Sequence, residues 1–261
     1  MTPNTNGCLI GVSLGPGDPE LLTCRAFKLL QGNYHWTYPV RKPGGDSYAL
    51  DIARRAGLKP PRAHTPLVFP MTSDPTRLAK AWLTAAQAVL EILYRGEDVA
   101  FLVEGDASTY ATFGHLARSV AALDATIRIE TVPGVASFSA AAARLGMPLA
   151  DTDEAIAILP AGYGTAQAEQ LLEHFDTLVL LKIKPMLEPF IAWLCSRNLL
   201  AHAHLVEKVG MPEERIVHDV AALQGETVHY LSLLLVRNPR RTRQQPVRGC
   251  RPQPAVAGAG G

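Results

Sequence analysis

The sequence has little charge, few cysteines and no long hydrophobic run. Charged residues make up 19% of its 261 positions and apolar residues 48%, so the chain should bury a sizeable core rather than stay disordered. No apolar run approaches the roughly 18 residues of a membrane span. The opening MTPNTNG lacks a secretory pattern, and a cytoplasmic protein without a membrane partner is expected. The four cysteines, Cys8, Cys24, Cys195 and Cys250, form no CxxC pair, which argues against a zinc site and a disulfide framework. His202 and His204 have no third ligand at metal spacing, so no bound metal is expected. A GxxxxGK[ST] loop is absent, and Ser137 and Ser139 stand in no GxSxG elbow. The sequence thus offers no phosphate loop and no support for a serine-hydrolase triad.

One stretch combines a lack of acidic residues with many arginines. From position 237 onward there are six of the 25 basic residues (Arg237, Arg240, Arg241, Arg243, Arg248 and Arg251) and no acid, leaving 19 basic against 24 acidic in the body. The stretch 237–261 is rich in Pro, Gly and Arg without an apolar period, and a disordered extension is expected. No basic, aromatic-laced surface accompanies it, so nucleic acid is not an expected partner.

What is present is an alternation of strand and helix patterns. Cys8 to Leu14 reads as a buried strand, and Asp18-Pro19 as the cap and first position of a helix running to Leu30. Asp74-Pro75 repeats that start, with Leu78, Trp82, Ala85, Val89 and Leu93 at helical spacing before Gly96. Val99 to Val103 has the continuous apolar character of a central parallel strand. A helix from Tyr110 to Leu123, a strand at Ile127–Val132 and a small-residue helix through Arg144 follow. A composition break at Gly146-Met147-Pro148 marks a domain boundary. Beyond it come strands at Ala155–Leu159, Thr177–Lys182, His204–Val209 and Val228–Val236, with helices at Ala166–His174 and after Pro185. The pattern predicts an α/β protein of two domains, 1–147 and 148–236, with largely parallel sheets.

Ligands on such sheets bind beyond the carboxyl ends of the strands, which selects the loops Gly15–Asp18, Glu104–Asp106 and Pro133–Ser137. A dinucleotide fingerprint is disfavoured at the first, because Glu20 stands where a small residue is required and would repel a pyrophosphate. Gly15 and Gly17 could equally be a plain turn. Glu104-Gly105-Asp106 suits a ligand with positive charge or ribose hydroxyls, and alternatively Asp106 caps the next helix. Thr131 to Ser139 is a second strand–turn–helix whose small residues allow close approach to the backbone.

Together these loops resemble the tetrapyrrole (corrin/porphyrin) methylase family. The resemblance rests on Gly11 to Thr23, Val103-Glu104-Gly105-Asp106, Val132 to Ala142 and Met211-Pro212-Glu213-Glu214-Arg215-Ile216, in family order. Tyr38-Pro39, Gly45-Asp46-Ser47, Pro66 to Thr72 and Phe138-Ser139 are most similar to the branch that methylates C-20 of precorrin-2 in cobalamin synthesis. Two departures stand out: Ala107-Ser108-Thr109 follows Asp106 where relatives often have proline, and Gln31 to Thr37 is polar where relatives run into an apolar strand.

The resemblance implies a methyltransferase using S-adenosylmethionine, held between two α/β domains, as a homodimer. By it, Glu104, Gly105 and Asp106 line the donor site, Ala136 and Ser137 lie near its methionine part, and Tyr110, Lys182 and Gly210 occupy further donor positions. Gly15, Pro16, Gly17 and Asp18 belong to the groove for a tetrapyrrole of the precorrin-2 type, with or without cobalt. Arg25, Lys28, Arg41, Lys42, Lys182, Lys184 and Lys208 are available to its carboxylates. An in-line methyl transfer without a covalent enzyme intermediate is expected, governed by alignment, with Asp106 holding the donor and a carboxylate or water taking the displaced proton. The residues leave the catalytic group unassigned. Methylation at another corrin-ring position, a non-catalytic tetrapyrrole-binding homologue and a nucleotide-dependent oxidoreductase remain alternatives.

Overall fold

A computed structural model describes residues 6–72 and 74–241. The first strand, β1 (Cys8–Ser13), is buried along its whole length, as expected of a strand covered on both faces. The helix expected from Pro19 is split. Asp18 caps a single 3-10 turn, Pro19–Leu21, and Thr23 then caps α1 (Cys24–Leu30) by accepting from the Ala26 N–H. The polar stretch becomes β2 (His35–Val40), followed by α2 (Tyr48–Arg55) and β3 (His64–Val68). Next come α3 (Pro75–Leu93), β4 (Val99–Val103), α4 (Thr112–Leu123), β5 (Arg128–Val132) and α5 (Ser137–Arg144).

These five strands form one parallel sheet in the order β3-β2-β4-β1-β5. Trp36, Tyr38 and Val40 point to the face covered by α1 and α2, while α3 and α4 cover the other face against Phe101 and Val103. Two polar side chains of β2 are satisfied sideways, with His35 Nε2 2.8 Å from Thr65 Oγ1 and the Tyr38 hydroxyl 3.0 Å from His64 Nδ1, whereas the buried Trp36 Nε1 and Thr37 Oγ1 have no hydrogen-bond partner among the described residues. Connections leave β1 and β4 toward opposite edges, so the crevice between their carboxyl ends is the switch point where such sheets bind ligands.

The second sheet, in the order β6-β7-β10-β8-β9, is built from β6 (Ile156–Pro160), β7 (Thr177–Leu181), β8 (Ala203–Glu207), β9 (Arg215–Val217) and β10 (Ser232–Arg237). Only β6 and β7 are parallel; β10 runs antiparallel to β7 and β8, and β9 antiparallel to β8. Helices α6 (Gly164–Leu172) and α7 (Leu187–Ser196) cover one face. The other face is covered by α5, whose Ala140, Ala141 and Ala142 pack on Val179, Val206 and Leu235. By packing, α5 thus belongs with the second sheet, although it precedes the boundary expected at 147.

The extension expected from 237 starts inside the fold. Arg237 ends β10 and pairs with Glu154 at 2.8 Å, the Asn238 N–H donates to the Asp176 carbonyl at 2.8 Å, and Arg241 pairs with the buried Asp176. Residues 242–261 lie outside the described residues.

Candidate active site

A cavity of about 800 Å³ opens between the carboxyl end of the first sheet and the second sheet. Loops after β1, β2, β3, β4 and β5 line it from one side, and Leu181, Lys182, Lys208, Val209 and Tyr230 to Leu233 from the other. At its centre, Gly15 and Gly105 clasp each other in a two-residue bridge: the Gly105 N–H donates to Gly15 O at 2.7 Å, and the Gly15 N–H to Gly105 O at 3.2 Å. Both glycines have positive φ, 74° and 77°, which a side chain would resist.

Around this bridge one serine ties three strand ends together. Ser13, fully buried at the end of β1, donates to the Val132 carbonyl on β5 at 2.6 Å and accepts from the Ala107 N–H after β4 at 2.8 Å. Gly134 must be glycine here, because a Cβ would stand 2.4 Å from Ser13 Cβ.

The two carboxylates of the β4 loop have opposite environments. Asp106 accepts from the Gly134 N–H at 3.2 Å, from Thr109 Oγ1 at 2.8 Å and from Ser108 Oγ, with Ser13 Oγ 3.4 Å away. Partial burial pushes its carboxyl up, but these donors outweigh that and hold it below the usual aspartate range. Its oxygens therefore organise the loop across the ends of β1, β4 and β5 and do not cap the next helix, whose start at Ala111 has no side-chain cap. Glu104 lines the same cavity, partly buried, without a hydrogen bond or ion pair among the described residues. Burial pushes its carboxyl up to about 7, against an opposing pull from Arg41.

Of the residues expected at the donor site, Glu104, Gly105, Asp106, Tyr110, Ala136, Ser137 and Lys182 all line the cavity. Tyr110 and Lys182 adopt left-handed backbone, φ 50° and 56°, and the Tyr110 hydroxyl crosses the cleft to donate to Ile158 O at 2.9 Å. No side chain caps α4 at Ala111 or α5 at Ala136, and both helix starts face the cavity, so their N–H groups are open to carboxylates.

The residues expected in the substrate groove divide. Pro16 lines the cavity and Gly15 forms the bridge, whereas Gly17, Asp18 and the donor candidate Gly210 lie outside the cavity wall, in a joint between the two halves. A Cβ on Gly17 would meet Val209 O at 2.5 Å, and one on Gly210 would meet Asp18 N at 2.5 Å. Glu214 accepts from the Gly210 N–H at 2.6 Å and pairs with Arg144 at 3.2 Å. The motif pair Gly17-Asp18 and Gly210 to Glu214 is thus where the halves meet, and close approach of the backbone accounts for its glycines.

Several lining groups were not legible as a site. Phe69 and Trp82 meet at 4.5 Å between ring centres with their planes tilted by 37°, and Trp82 stacks on His115 at 4.9 Å, giving one wall an aromatic surface. Across the cleft, the Leu231 N–H donates to His229 Nδ1 at 3.1 Å, which leaves Nε2–H to meet the Tyr48 hydroxyl at 3.1 Å. Burial, Lys208 and Arg41 keep that imidazole below its ordinary pKa, with Glu207 opposing. Only the proline, glycine and aromatic content near β2 and β3 hinted at the first wall. The β10 contribution is set by long-range pairing and leaves no local signal.

The chain matches the family of tetrapyrrole (corrin/porphyrin) methylases over residues 8–223. It is 33% identical over 235 residues to the cobalt-precorrin-2 C(20)-methyltransferase of Salmonella typhimurium, covering 88% of this chain and 96% of that protein. The precorrin-2 C(20)-methyltransferase of a Sinorhizobium species is 29% identical over 238 residues, covering 88% and 95%. In fold, it is similar to the uroporphyrin-III C-methyltransferase of Thermus thermophilus solved with S-adenosylhomocysteine (TM-score 0.62, 23% identity, 88% of this chain and 92% of that one). A cobalt-precorrin-4 methyltransferase gives a TM-score of 0.64 at 20% identity, over 88% and 94%. With its parallel sheet, its clasped glycine loops and this match over most of its length, the chain belongs to the tetrapyrrole methylase family.

Proposed function

We propose that this protein is a methyltransferase that moves the methyl group of S-adenosylmethionine to C-20 of precorrin-2, or of its cobalt counterpart, in cobalamin synthesis. The observation that carries this reading is the end-to-end match to a relative of that name, 33% identical over 96% of its length. The cavity supports it: loops from both sheets converge on one space, with open helix starts for carboxylates and an aromatic wall for a flat conjugated ring.

The residues around the cavity divide the work. Gly105, Asp106, Tyr110, Ala136, Ser137 and Lys182 would hold the donor, whose sulfonium supplies an activated methyl when bound. Arg41, Lys182 and Lys208 line the cavity as the cations for substrate carboxylates. The meso carbon of a reduced tetrapyrrole is enamine-like and already nucleophilic, so alignment supplies much of the rate. Among the described residues no helix is long and apolar enough to cross a membrane, and no group of three His, Cys, Asp or Glu side chains could hold a metal. A homodimer working in the cytoplasm belongs to the same reading, and sedimentation of the purified protein checks the dimer.

Thermal unfolding with S-adenosylhomocysteine gives the first test. A ligand that binds only the folded state adds about 2.7 kcal/mol of stability at a concentration one hundred times its Kd and so raises the midpoint. A rise with this ligand and none with NADH is expected. Methyl transfer from a carbon-labelled donor, with the labelled position read by NMR, then tests C-20 itself; label at another ring carbon would assign a sister activity.

A further inference from the structure

We propose that Glu104 is the base of the methyl transfer, taking the hydrogen that C-20 loses as the methyl group arrives. The inference rests on the function proposed above. Methylation at a meso carbon is a substitution. The carbon–methyl bond forms from the enamine π electrons while the sulfur–methyl bond breaks and its pair stays on sulfur. The ring is left cationic, with both hydrogen and methyl on C-20. The C–H pair must return to the ring to restore conjugation, so the proton has to leave to an acceptor and then to solvent.

The site offers one carboxylate free for that task. Glu104 directly follows β4, the middle strand of the first sheet, at the switch point of the fold. The Gly15–Gly105 bridge fixes the backbone immediately after it. Its carboxyl lines the cavity and has no hydrogen-bond or ion-pair partner among the described residues. The other charged or titratable groups on the wall are less suited. Asp106 is held by its loop donors, His115 Nδ1 is engaged by Arg118 at 3.0 Å, and Asp46 stands exposed at the mouth. Arg41, Lys182 and Lys208 are cations. Two carboxyls two residues apart are thus driven to opposite behaviour, one fixed as an anion and one poised to exchange a proton near neutral pH, which is the arrangement that separates a structural acid from a working one.

The test follows the hydrogen rather than the methyl. The protein is incubated in D2O with precorrin-2 and S-adenosylhomocysteine, so that no methyl is available, and the C-20 proton signal is followed by NMR. Deuterium should enter C-20 faster than without protein, and Glu104→Gln should abolish that acceleration while leaving the melting shift with S-adenosylhomocysteine intact. In the methylation assay the same variant should lower kcat roughly 10²–10⁴-fold with the KM for donor little changed, and Glu104→Ala should regain part of its rate when formate is added. Exchange or methylation by Glu104→Gln at the wild-type rate overturns the proposal. So does loss of the melting shift, which would place Glu104 on the donor instead. Wild-type protein that methylates no tetrapyrrole overturns the function reading, and this assignment with it.

Discussion

Glu104 and Asp106 share a loop and a charge type, and their environments separate them. For Glu104 the folded-state pKa is raised to about 7, so the folded protein holds a proton there that the unfolded chain releases at lower pH. Its burial is tolerated below about pH 4.5 and costs stability progressively as pH rises through 7. Glu104→Gln should therefore raise the melting midpoint at pH 8, by up to about 3 kcal/mol, and lose that advantage by pH 5. A melting series across that range checks the sign. Asp106 behaves oppositely: its pKa is depressed, so its contribution is present at neutral pH and fades as acid protonates it. Ser13→Ala should cost about 1–3 kcal/mol by leaving the Ala107 N–H and the Val132 carbonyl without their partner, read as a lower urea midpoint with unchanged slope. The sequence marked both carboxylates because they follow a buried strand. It could not assign their roles, since beside the local Ser108 and Thr109 the groups that tie Asp106 to the rest of the fold are Ser13 and the Gly134 N–H, 93 and 28 residues away.

At the level of elements, α5 links binding to packing. Its first residues, Ser137 and Phe138, face the cavity, while Ala140, Ala141 and Ala142 lie flat on the second sheet. Three alanines in a row permit that close approach, and a larger side chain would lift the helix. Ala141→Leu should cost about 1–3 kcal/mol by overpacking and also weaken S-adenosylhomocysteine binding by titration, because the helix start moves with the rest. The strand β4 and the helix α5 were legible because an unbroken apolar run and a proline–glycine start are local signals. The strand β2 was hidden by His35, Thr37 and Tyr38. Their polar atoms suit a loop when read alone, yet His35 and Tyr38 reach the neighbouring strand, and the intervening Trp36 is fully buried. The reversed direction of β10 was likewise out of reach, since apolar pattern carries no sign of strand direction.

For the whole molecule, the decisive contact is between two glycine-bearing loops nearly two hundred residues apart. Gly17 and Gly210 let Val209 O and the Asp18 backbone approach to distances that a methyl group would forbid. Gly210 also has φ 75°, so Gly210→Ala is strained twice over. That variant should keep two folded sheets but widen the cleft, lowering S-adenosylhomocysteine affinity more than far-ultraviolet circular dichroism, a combination that isothermal titration and spectroscopy read together. The order of the second sheet has a further consequence for how the chain comes into being. Its last strand, β10, sits in the middle, between β7 and β8. On a ribosome, the parallel sheet has all its strands once residue 132 has emerged, while β7 and β8 must wait with bare edges until residue 237 follows. Such edges invite pairing with other chains. A nascent chain arrested before Ser232 should therefore be the form of this protein that depends most on chaperones.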